Sequence, residues 1–264
     1  MRELERGSLP SPHDAALAVI GRGRAGRSLA GAAERAGIEV RLAGREDALD
    51  AAAGTGAVLL CVPDEAIAEA CAAIAAADPS LVGHLSGAST LEALAAARER
   101  GSGTFSLHPL QTFADGDTPV EGTPCAVAGS DPGALAFAAS LAEALGMRPF
   151  EVGEENRAAY HAAAAIASNL LVALEESAAE LLERAGISEP RELLAPLVLR
   201  TAANWAERGP EALTGPAARG DAETIERHRA ALTELAPELV PIYDALSSRA
   251  RVYASASETN EAVR

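Results

Sequence analysis

AALAVIGRGRAGRSLA, residues Ala15 to Ala30, places a glycine-rich turn between a short apolar run and a helical pattern. Gly21, Gly23 and Gly26 give this turn the spacing G-x-G-x-x-G. Between a strand and a helix, the first glycine permits a tight turn, the second lets the backbone approach a pyrophosphate, and the third lets helix and strand pack closely. The motif predicts a dinucleotide site with the phosphates at the helix N-terminus. A tight turn without a ligand is the alternative interpretation.

Strand and helix patterns alternate after this motif. Apolar runs typical of strands cover residues 38–44, 57–63, 81–88 and the segment that ends at Pro109. Such alternation indicates an α/β domain with a mostly parallel sheet, whereas the pattern after Gly153 is helical throughout. The sequence therefore predicts a loose leader (1–14), a Rossmann-type domain (15–153), an all-α domain (154–254) and a frayed tail (255–264).

Several residues mark predicted helix ends. Asp64 and Asp221 are predicted N-caps, because a side-chain oxygen at that position accepts a hydrogen bond from a free amide of the first turn. Residues 154–186 read as one long helical stretch that Gly186 closes, and Ser188 is the predicted cap of the next helix.

Charge and composition limit the classes of partner. The chain has 264 residues and a net charge of −16, which opposes binding to nucleic acid and to anionic membrane surfaces. Its 22 basic residues are all arginine, so lysine chemistry such as Schiff-base formation is excluded. The three cysteines form no C-x-x-C pair, and no apolar signal core or run of about 20 apolar residues is evident. We expect a cytoplasmic location and no bound metal.

The end of the second strand indicates which dinucleotide binds. NAD sites place a carboxylate there for the ribose 2′-hydroxyl. Here the strand ends in Leu42-Ala43-Gly44-Arg45, and no carboxylate occurs before Glu46. The pattern predicts NADP with Arg45 at the 2′-phosphate, although a solvated loop arginine is the alternative. The candidate cofactor-binding residues are Gly21, Arg22, Gly23, Arg24, Ala25, Gly26, Arg45, Val62, Pro63, Ser86 and Gly87.

FSLHPLQTF, residues 105–113, ends a predicted strand with a polar residue among apolar ones. Ligands of open α/β sheets bind beyond the carboxyl ends of the strands, where Ser86 and His108 would both lie. His108 is therefore a candidate catalytic residue, and a hydrogen-bonded structural histidine is the alternative. Ser86 is a second candidate, which would hold the reacting oxygen. His84 lies inside its strand, and we interpret it as structural.

YHAAAAIASN, residues 160–169, begins the helical domain with polar side chains among alanines. In a continuous helix Ser168 would share a face with His161, and Asn169 would lie about 80° round from it. His161 and Asn169 are candidate catalytic residues, and a wet helix surface is the alternative. Ser168, Thr214 and Arg219 are candidate substrate-binding residues, since an arginine binds a carboxylate with two hydrogen bonds.

Six segments together resemble a known family: GRGRAGRSLA, LLCVPDEAIAEA, HLSGAS, FSLHPLQTF, YHAAAAIASN and ALTGPAARGD. Across residues 15–246 the chain resembles a bacterial family with a Rossmann-like domain followed by a helical domain of unknown function. That family looks like a branch of the 6-phosphogluconate dehydrogenase-like superfamily. The superfamily includes β-hydroxyacid dehydrogenases, ketopantoate reductases, pyrroline-5-carboxylate reductases and deazaflavin-dependent NADP oxidoreductases, and some members of this branch are implicated in ketopantoate reduction for pantothenate synthesis.

The resemblance implies an NADP-dependent oxidoreductase that acts on a small anionic 2-oxo acid, with ketopantoate as the named candidate. It also implies a homodimer formed through the helical domain. Asn169 matches an asparagine of the superfamily, but Ala165 stands where the superfamily has a lysine general acid. His161 is the substitute, with His108 as its rival. An imine or deazaflavin-linked reductase and a dinucleotide sensor without turnover remain the alternatives.

Overall fold

The computed structural model describes residues 11–14 and 16–261. By its contacts the chain divides into two compact units, one up to Ile166 and one from Ala167 onward. The predicted boundary near residue 153 falls just after the last strand, and the contact division comes later because the next helix packs with the first unit. Of the predicted leader, residues 11–14 form a turn, and residues 1–10 lie outside the described part.

The first unit holds a single sheet whose strands, within the described residues, are β1 (Leu17–Ile20), β2 (Val40–Ala43), β3 (Ala57–Leu60), β4 (Leu81–His84), β5 (Gly103–Pro109), β6 (Pro124–Gly129) and β7 (Arg148–Glu151). Their spatial order is β2-β1-β3-β4-β5-β6-β7. Every neighbouring pair is parallel except β5 and β6, which are antiparallel. The predicted Rossmann-type, mostly parallel α/β sheet followed by an all-α region is confirmed.

Helices cover both faces of this sheet. They are α1 (Arg24–Arg35), α2 (Ala48–Ala52), α3 (Ile67–Ile74), α4 (Ala95–Arg98) and α5 (Pro132–Ala144), and α6 (Arg157–Ala167) follows the last strand. Successive side chains of a strand point to opposite faces. Leu17 and Val19 accordingly pack in one buried cluster with residues of α1 and α5, whereas Ala18 and Ile20 pack in another with residues of α3.

The end of β5 shows how a proline fits in a central strand. The pairing of β5 with β4 stops at Ser106, so His108 and Pro109 have only β6 as a neighbour. Proline lacks a backbone donor and is tolerated where the ladder does not need one. His108 therefore lies where β5 extends beyond β4, at the edge that faces a ligand in folds of this class.

Of the predicted N-caps Asp64 and Asp221, one is confirmed and the other is wrong. Asp221 caps its helix, since its Oδ1 accepts a hydrogen bond from the Thr224 amide at 3.0 Å. The Asp64 prediction is wrong: Asp64 begins a short 3-10 turn before α3, and its side chain makes no capping bond. The carbonyl of Pro63 accepts the Ala66 amide at 2.9 Å, so the preceding proline starts the turn.

The second unit is entirely helical over its described residues: α7 (Asn169–Arg184), α8 (Pro190–Arg208), α9 (Pro216–Arg219), α10 (Ala222–Leu235) and α11 (Val240–Glu261). The prediction of one continuous helix over 154–186 is wrong. Ser168, with φ −126° and ψ −82°, interrupts it between α6 and α7. The helical-face relation predicted between His161, Ser168 and Asn169 therefore does not hold.

The ends of two helices in the second unit also differ from prediction. Ser188 is not the cap of α8, because Glu189 occupies that position in a left-handed conformation and Pro190 begins the helix. The predicted frayed tail starts at residue 255, whereas α11 continues to Glu261. No glycine or proline follows Pro241 in the sequence to end that helix earlier.

Large apolar side chains of the second unit are exposed in the single chain. On α8, Leu197 is 63% and Trp205 65% exposed. The segment Glu154–Arg184, which holds α6 and α7, is long and apolar enough to cross a membrane, and only 6% of its most apolar window is buried. Contiguous exposed apolar side chains are unusual on a monomeric soluble protein.

Candidate active site

The glycine turn after β1 is built by close backbone approaches. Gly21 has φ +129°, and a Cβ at this position would lie 2.1 Å from the carbonyl oxygen of Cys61. A Cβ on Gly26 would lie 2.0 Å from the carbonyl oxygen of Gly21, so only glycine lets α1 pack against the turn. Around Gly23 the space is open, since a Cβ there would have no described neighbour within 4 Å. The turn thus has room for a ligand at its middle glycine.

Two arginines with carboxylate partners surround the end of β2. Arg22 pairs with Asp47, whose other carboxylate oxygen accepts the Gly44 amide at 2.8 Å. The backbone bond from Gly44 and the Arg22 charge lower the pKa of Asp47. Arg45 pairs with Glu69 from α3. Sequence reasoning missed Asp47 and Glu69, because neither partnership is local.

A cavity of about 230 Å³ lies beside Arg45. Its walls are small and mostly apolar, with Arg45 and Glu69 as the charged members; the others are Ile20, Gly21, Ala48, Val62, Pro63, Ala66, Ala70 and Ala73. The structure therefore brings the candidate cofactor residues Gly21, Arg45, Val62 and Pro63 to one place.

Gly87, just beyond β4, lies against two imidazole rings. A Cβ at this position would lie 2.7 Å from His161 Nδ1 and 2.8 Å from His108 Nε2, so a side chain cannot fit. Both nitrogens thus face the backbone of Gly87, and the centroids of the two rings lie 5.9 Å apart. The neighbouring Ser86 hydroxyl accepts the amides of Ala88 and Ser89 at 3.2 and 2.8 Å and thereby shapes the loop.

His108 makes a short hydrogen bond to a tyrosine of α6. Its Nδ1 lies 2.6 Å from Tyr160 Oη, and the two rings meet edge to face. Burial, together with the nearby His161 and Arg157, lowers the pKa of His108 to about 4. Burial raises the pKa of Tyr160 to about 12. Both groups are therefore neutral at neutral pH. Tyr160 becomes a candidate site residue together with His108.

Arg157 fastens the start of α6 to the sheet. Its side chain is 1% exposed, its Nε donates to the Ser89 carbonyl at 2.9 Å, and its Nη2 donates to Ser106 Oγ. Glu154 lies 3.1 Å from the same guanidinium and accepts the Leu91 amide at 2.7 Å. Burial lowers the pKa of Arg157, and Glu154 opposes that shift. These contacts fix Tyr160 and His161, which lie on the next turn of α6.

Two of the three histidines near Arg157 have ring nitrogens without partners among the described residues. His161 Nδ1 is buried and makes no hydrogen bond. His84 is fully buried in β4; the backbone of Thr90 lies beside its ring, but neither nitrogen makes a bond of good geometry. Burial and the Arg157 charge lower the pKa of His84 to about 4. His84 thus lies inside its strand, as predicted.

The remaining catalytic and substrate-binding candidates belong to the second unit. Ser168 lies at the break before α7, and Asn169, Thr214 and Arg219 are exposed there. Arg157, Tyr160 and Glu154 were missed by sequence reasoning; an arginine opening an alanine-rich helix was the available signal. Among the described residues, no group of three or more histidine, cysteine or carboxylate side chains is placed to hold a metal ion.

Solved structures share this architecture. An NADP oxidoreductase candidate, BF3122 from Bacteroides fragilis, superposes with a TM-score of 0.75 at 24% identity, over 91% of this chain and 99% of the other. Protein TM1727 from Thermotoga maritima gives 0.74 at 23% identity, over 92% and 100%. A reductive aminase from Aspergillus terreus in complex with NADPH and ethyl levulinate gives 0.63 at 18% identity, over 89% and 93%. At these identities the likeness concerns the fold alone.

Comparison with sequence families gives a second, independent result. Residues 123–250 match a family model described as a domain of unknown function, DUF2520. No curated protein matches the sequence. The match begins after the first five strands of the sheet and agrees with the family resemblance predicted from the six sequence segments, two of which lie within residues 123–250.

Proposed function

We propose that the protein is an NADP-dependent oxidoreductase that reduces a small carbonyl compound. The observation that carries this proposal is the pair of imidazole nitrogens, His108 Nε2 and His161 Nδ1, that face Gly87 at the carboxyl edge of the sheet. This edge also holds the glycine turn, and ligands of open α/β sheets bind there. An acid beside a nucleotide site is what carbonyl reduction requires.

The glycine turn and the residues after β2 suit NADP in particular. The open space around Gly23 accommodates a pyrophosphate at the N-terminus of α1. The cavity beside Arg45 is apolar enough for an adenine, and Arg45 and Arg22 supply cations for a 2′-phosphate. Arg24 and Ala25, which follow in the same turn, complete the proposed phosphate site.

The proposed chemistry divides between cofactor and protein. When bound, the dinucleotide supplies the hydride to the carbonyl carbon. His161 gives a proton to the developing alkoxide, and His108 hydrogen-bonds the same oxygen. Gly87 lets both rings approach, and Ser86 holds the loop in place. Asn169, Ser168, Thr214 and Arg219 remain proposed substrate ligands on the strength of the resemblance, with Arg219 for a carboxylate.

The proposed substrate is a small anionic 2-oxo acid, with ketopantoate as the specific candidate. Reductive aminases and a pyrroline carboxylate reductase share the fold, so imines are the competing class. A screen of 2-oxo acids and cyclic imines with purified protein, followed by NADPH absorbance, tests the proposal. Turnover of an oxo acid supports it. Binding of NADPH without any turnover favours a sensor, and absence of NADPH binding contradicts the proposal.

We further propose that a second copy of the chain covers the exposed apolar side chains of α7 and α8. Between Arg191 and Glu207 of α8, every side chain is exposed except those of Leu194, Val198 and Asn204, which are half-buried. Leucines nevertheless lie on several sides of this helix. A helix that is apolar all round needs further burial. A membrane is a poorer partner, because α6 holds Arg157 buried in the first unit and the net charge is −16.

Light scattering after size-exclusion chromatography tests the dimer. The parent chain should elute with twice the mass of one chain, and Leu197→Glu should yield monomers. Leu49→Glu, at an exposed leucine of the first unit, is the matched control and should stay dimeric. A monomeric parent would contradict the proposal, and association only with lipid vesicles would favour the membrane. A dimer in a reduced cytoplasmic compartment is the expected working form.

A further inference from the structure

We infer that Tyr160 fixes His108 as a neutral hydrogen-bond donor, and that this donor selects carbonyl over iminium substrates. The inference rests on the proposed function and names the substrate class of that site. It begins with the contact between His108 Nδ1 and Tyr160 Oη at 2.6 Å. Such a bond has two forms, because either the phenol or the ring nitrogen can carry the bridging hydrogen.

The surroundings of Tyr160 decide between the two forms. Among the described residues, the Tyr160 hydroxyl has one hydrogen-bond partner, His108 Nδ1. If Nδ1 carried the hydrogen, the phenol O–H would need a second acceptor in a partly buried place where none is described. An unmade buried hydrogen bond is costly. The phenol therefore donates to Nδ1, and its raised pKa, about 12, keeps the proton on the oxygen.

The direction of this bond determines the chemistry of the other ring nitrogen. A neutral imidazole carries one hydrogen, so Nδ1 as acceptor leaves that hydrogen on Nε2. His108 Nε2 faces Gly87, the point that His161 Nδ1 also faces. His108 thus presents an N–H to the ligand, and its low pKa keeps it from becoming a proton donor at neutral pH. The transferable proton is left to His161.

An N–H donor discriminates between the two substrate classes. A carbonyl oxygen has lone pairs that accept from Nε2–H, and the bond strengthens as hydride reaches carbon and charge grows on oxygen. A protonated imine carries N–H⁺ and no lone pair, so it would meet the Nε2–H group donor to donor. The balance of the carbonyl reaction is complete: hydride goes from the reduced nicotinamide to carbon, a proton goes from His161 to oxygen, and the nicotinamide is oxidised.

The chain contains a matched control pair. His228 Nδ1 lies 2.8 Å from Tyr243 Oη in the second unit, and those rings also meet edge to face. In this pair the histidine is exposed, so water can satisfy the ring nitrogens of His228 in either form of the bond. The substitution Tyr243→Phe therefore repeats the chemical change of Tyr160→Phe at a residue that has no proposed role in the site.

Nitrogen-15 NMR of histidine-labelled protein measures the tautomer without any turnover. His108→Gln assigns the His108 signals. The parent should show Nε2 protonated and Nδ1 unprotonated at neutral pH, and Tyr160→Phe should shift the signals toward a mixture. Unprotonated Nε2 in the parent overturns the inference. If no substrate reacts, an Nε2–H tautomer still supports the fixed donor, and the failure belongs to the proposed function.

The substrate arm compares kcat/KM for a 2-oxo acid and for a cyclic imine. Tyr160→Phe should lower the value for the oxo acid roughly tenfold, the effect of one weakened hydrogen bond, and leave the imine value within about twofold. Tyr243→Phe should change neither value. A parent that prefers imines, or a Tyr160→Phe loss that is equal for both classes, overturns the proposed selection.

Discussion

The two halves of the sheet's carboxyl edge hold their charged groups in opposite ways. Beside β2 the side chains of Arg45 and Glu69 are 81% and 69% exposed, and they pair on the surface. Beside β4 and β5, Arg157 is 1% exposed, and the neighbouring His84 and His108 have lowered pKa values. Exposed ion pairs contribute little to stability and can exchange partners, whereas buried groups are held in place and have shifted pKa values. In the proposed function the first half binds the phosphate of the dinucleotide, and the second half holds the residues that act on the substrate.

The largest expected effect is a fall in kcat without a change in NADPH binding, which distinguishes the second half of the edge from the first. His161→Ala should lower kcat by roughly 10²–10⁴-fold, the range for a lost general acid, and leave the NADPH dissociation constant unchanged. Steady-state rates and a fluorescence titration of NADPH measure the two quantities. A variant with the kcat of the parent would remove the proton-transfer role from His161.

The next effect is the acid sensitivity that buried histidine imposes on the fold. Burial lowers the pKa of His84 from 6.5 to about 4. His84 of the unfolded chain therefore becomes protonated below about pH 6.5, whereas His84 of the folded chain becomes protonated only near pH 4. The stabilising contribution is complete above pH 6.5 and is lost as the pH falls toward 4, on the order of 3 kcal/mol.

Urea unfolding between pH 7 and pH 4 measures this loss. His84→Leu should make the decline in the free energy of unfolding less steep, because it removes one of the two histidines, His84 and His108, whose pKa is lowered to about 4. His13→Leu, at an exposed histidine, is the control and should keep the slope of the parent. Identical slopes for His84→Leu and the parent would show that other groups cause the acid sensitivity.

A smaller effect is expected at the exposed half. Arg45→Ala should weaken NADPH binding about 10- to 100-fold, since each charge-assisted bond to a phosphate contributes about 1.5–3 kcal/mol. NADH lacks the 2′-phosphate and should bind variant and parent alike. Titration with both dinucleotides tests this. Equal affinity of the parent for NADH and NADPH would contradict the NADP assignment.

The smallest effect concerns the partner of Arg45. Glu69 competes with the phosphate for this guanidinium, and an exposed ion pair contributes about 0.2–1 kcal/mol. Glu69→Gln should therefore tighten NADPH binding by up to about fivefold, with NADH unaffected. Weaker NADPH binding in this variant would mean that Glu69 orients Arg45 rather than competes for it.

Local patterns in the sequence were enough for the framework of the fold. The spacing of Gly21, Gly23 and Gly26 and the apolar run of β3 predicted strands, helices and the ligand edge, because these features depend on neighbours within one turn or strand. Other local patterns predicted that Asp221 caps a helix and that His108 and His161 are candidate catalytic residues. The uninterrupted helix across Ser168 was a failure of the same local reasoning, since alanine and leucine on both sides favour helix.

Only the tertiary structure decided what the site residues touch. Tyr160 and His108 are 52 residues apart, and Arg157 donates to Ser106 across 51. Nothing in the sequence near Arg157 indicates that the guanidinium is buried, or that Gly87 is needed to admit two imidazoles. Burial and the pKa values it shifts arise from packing between distant segments of the chain, so they exist only once the sheet and α6 have assembled.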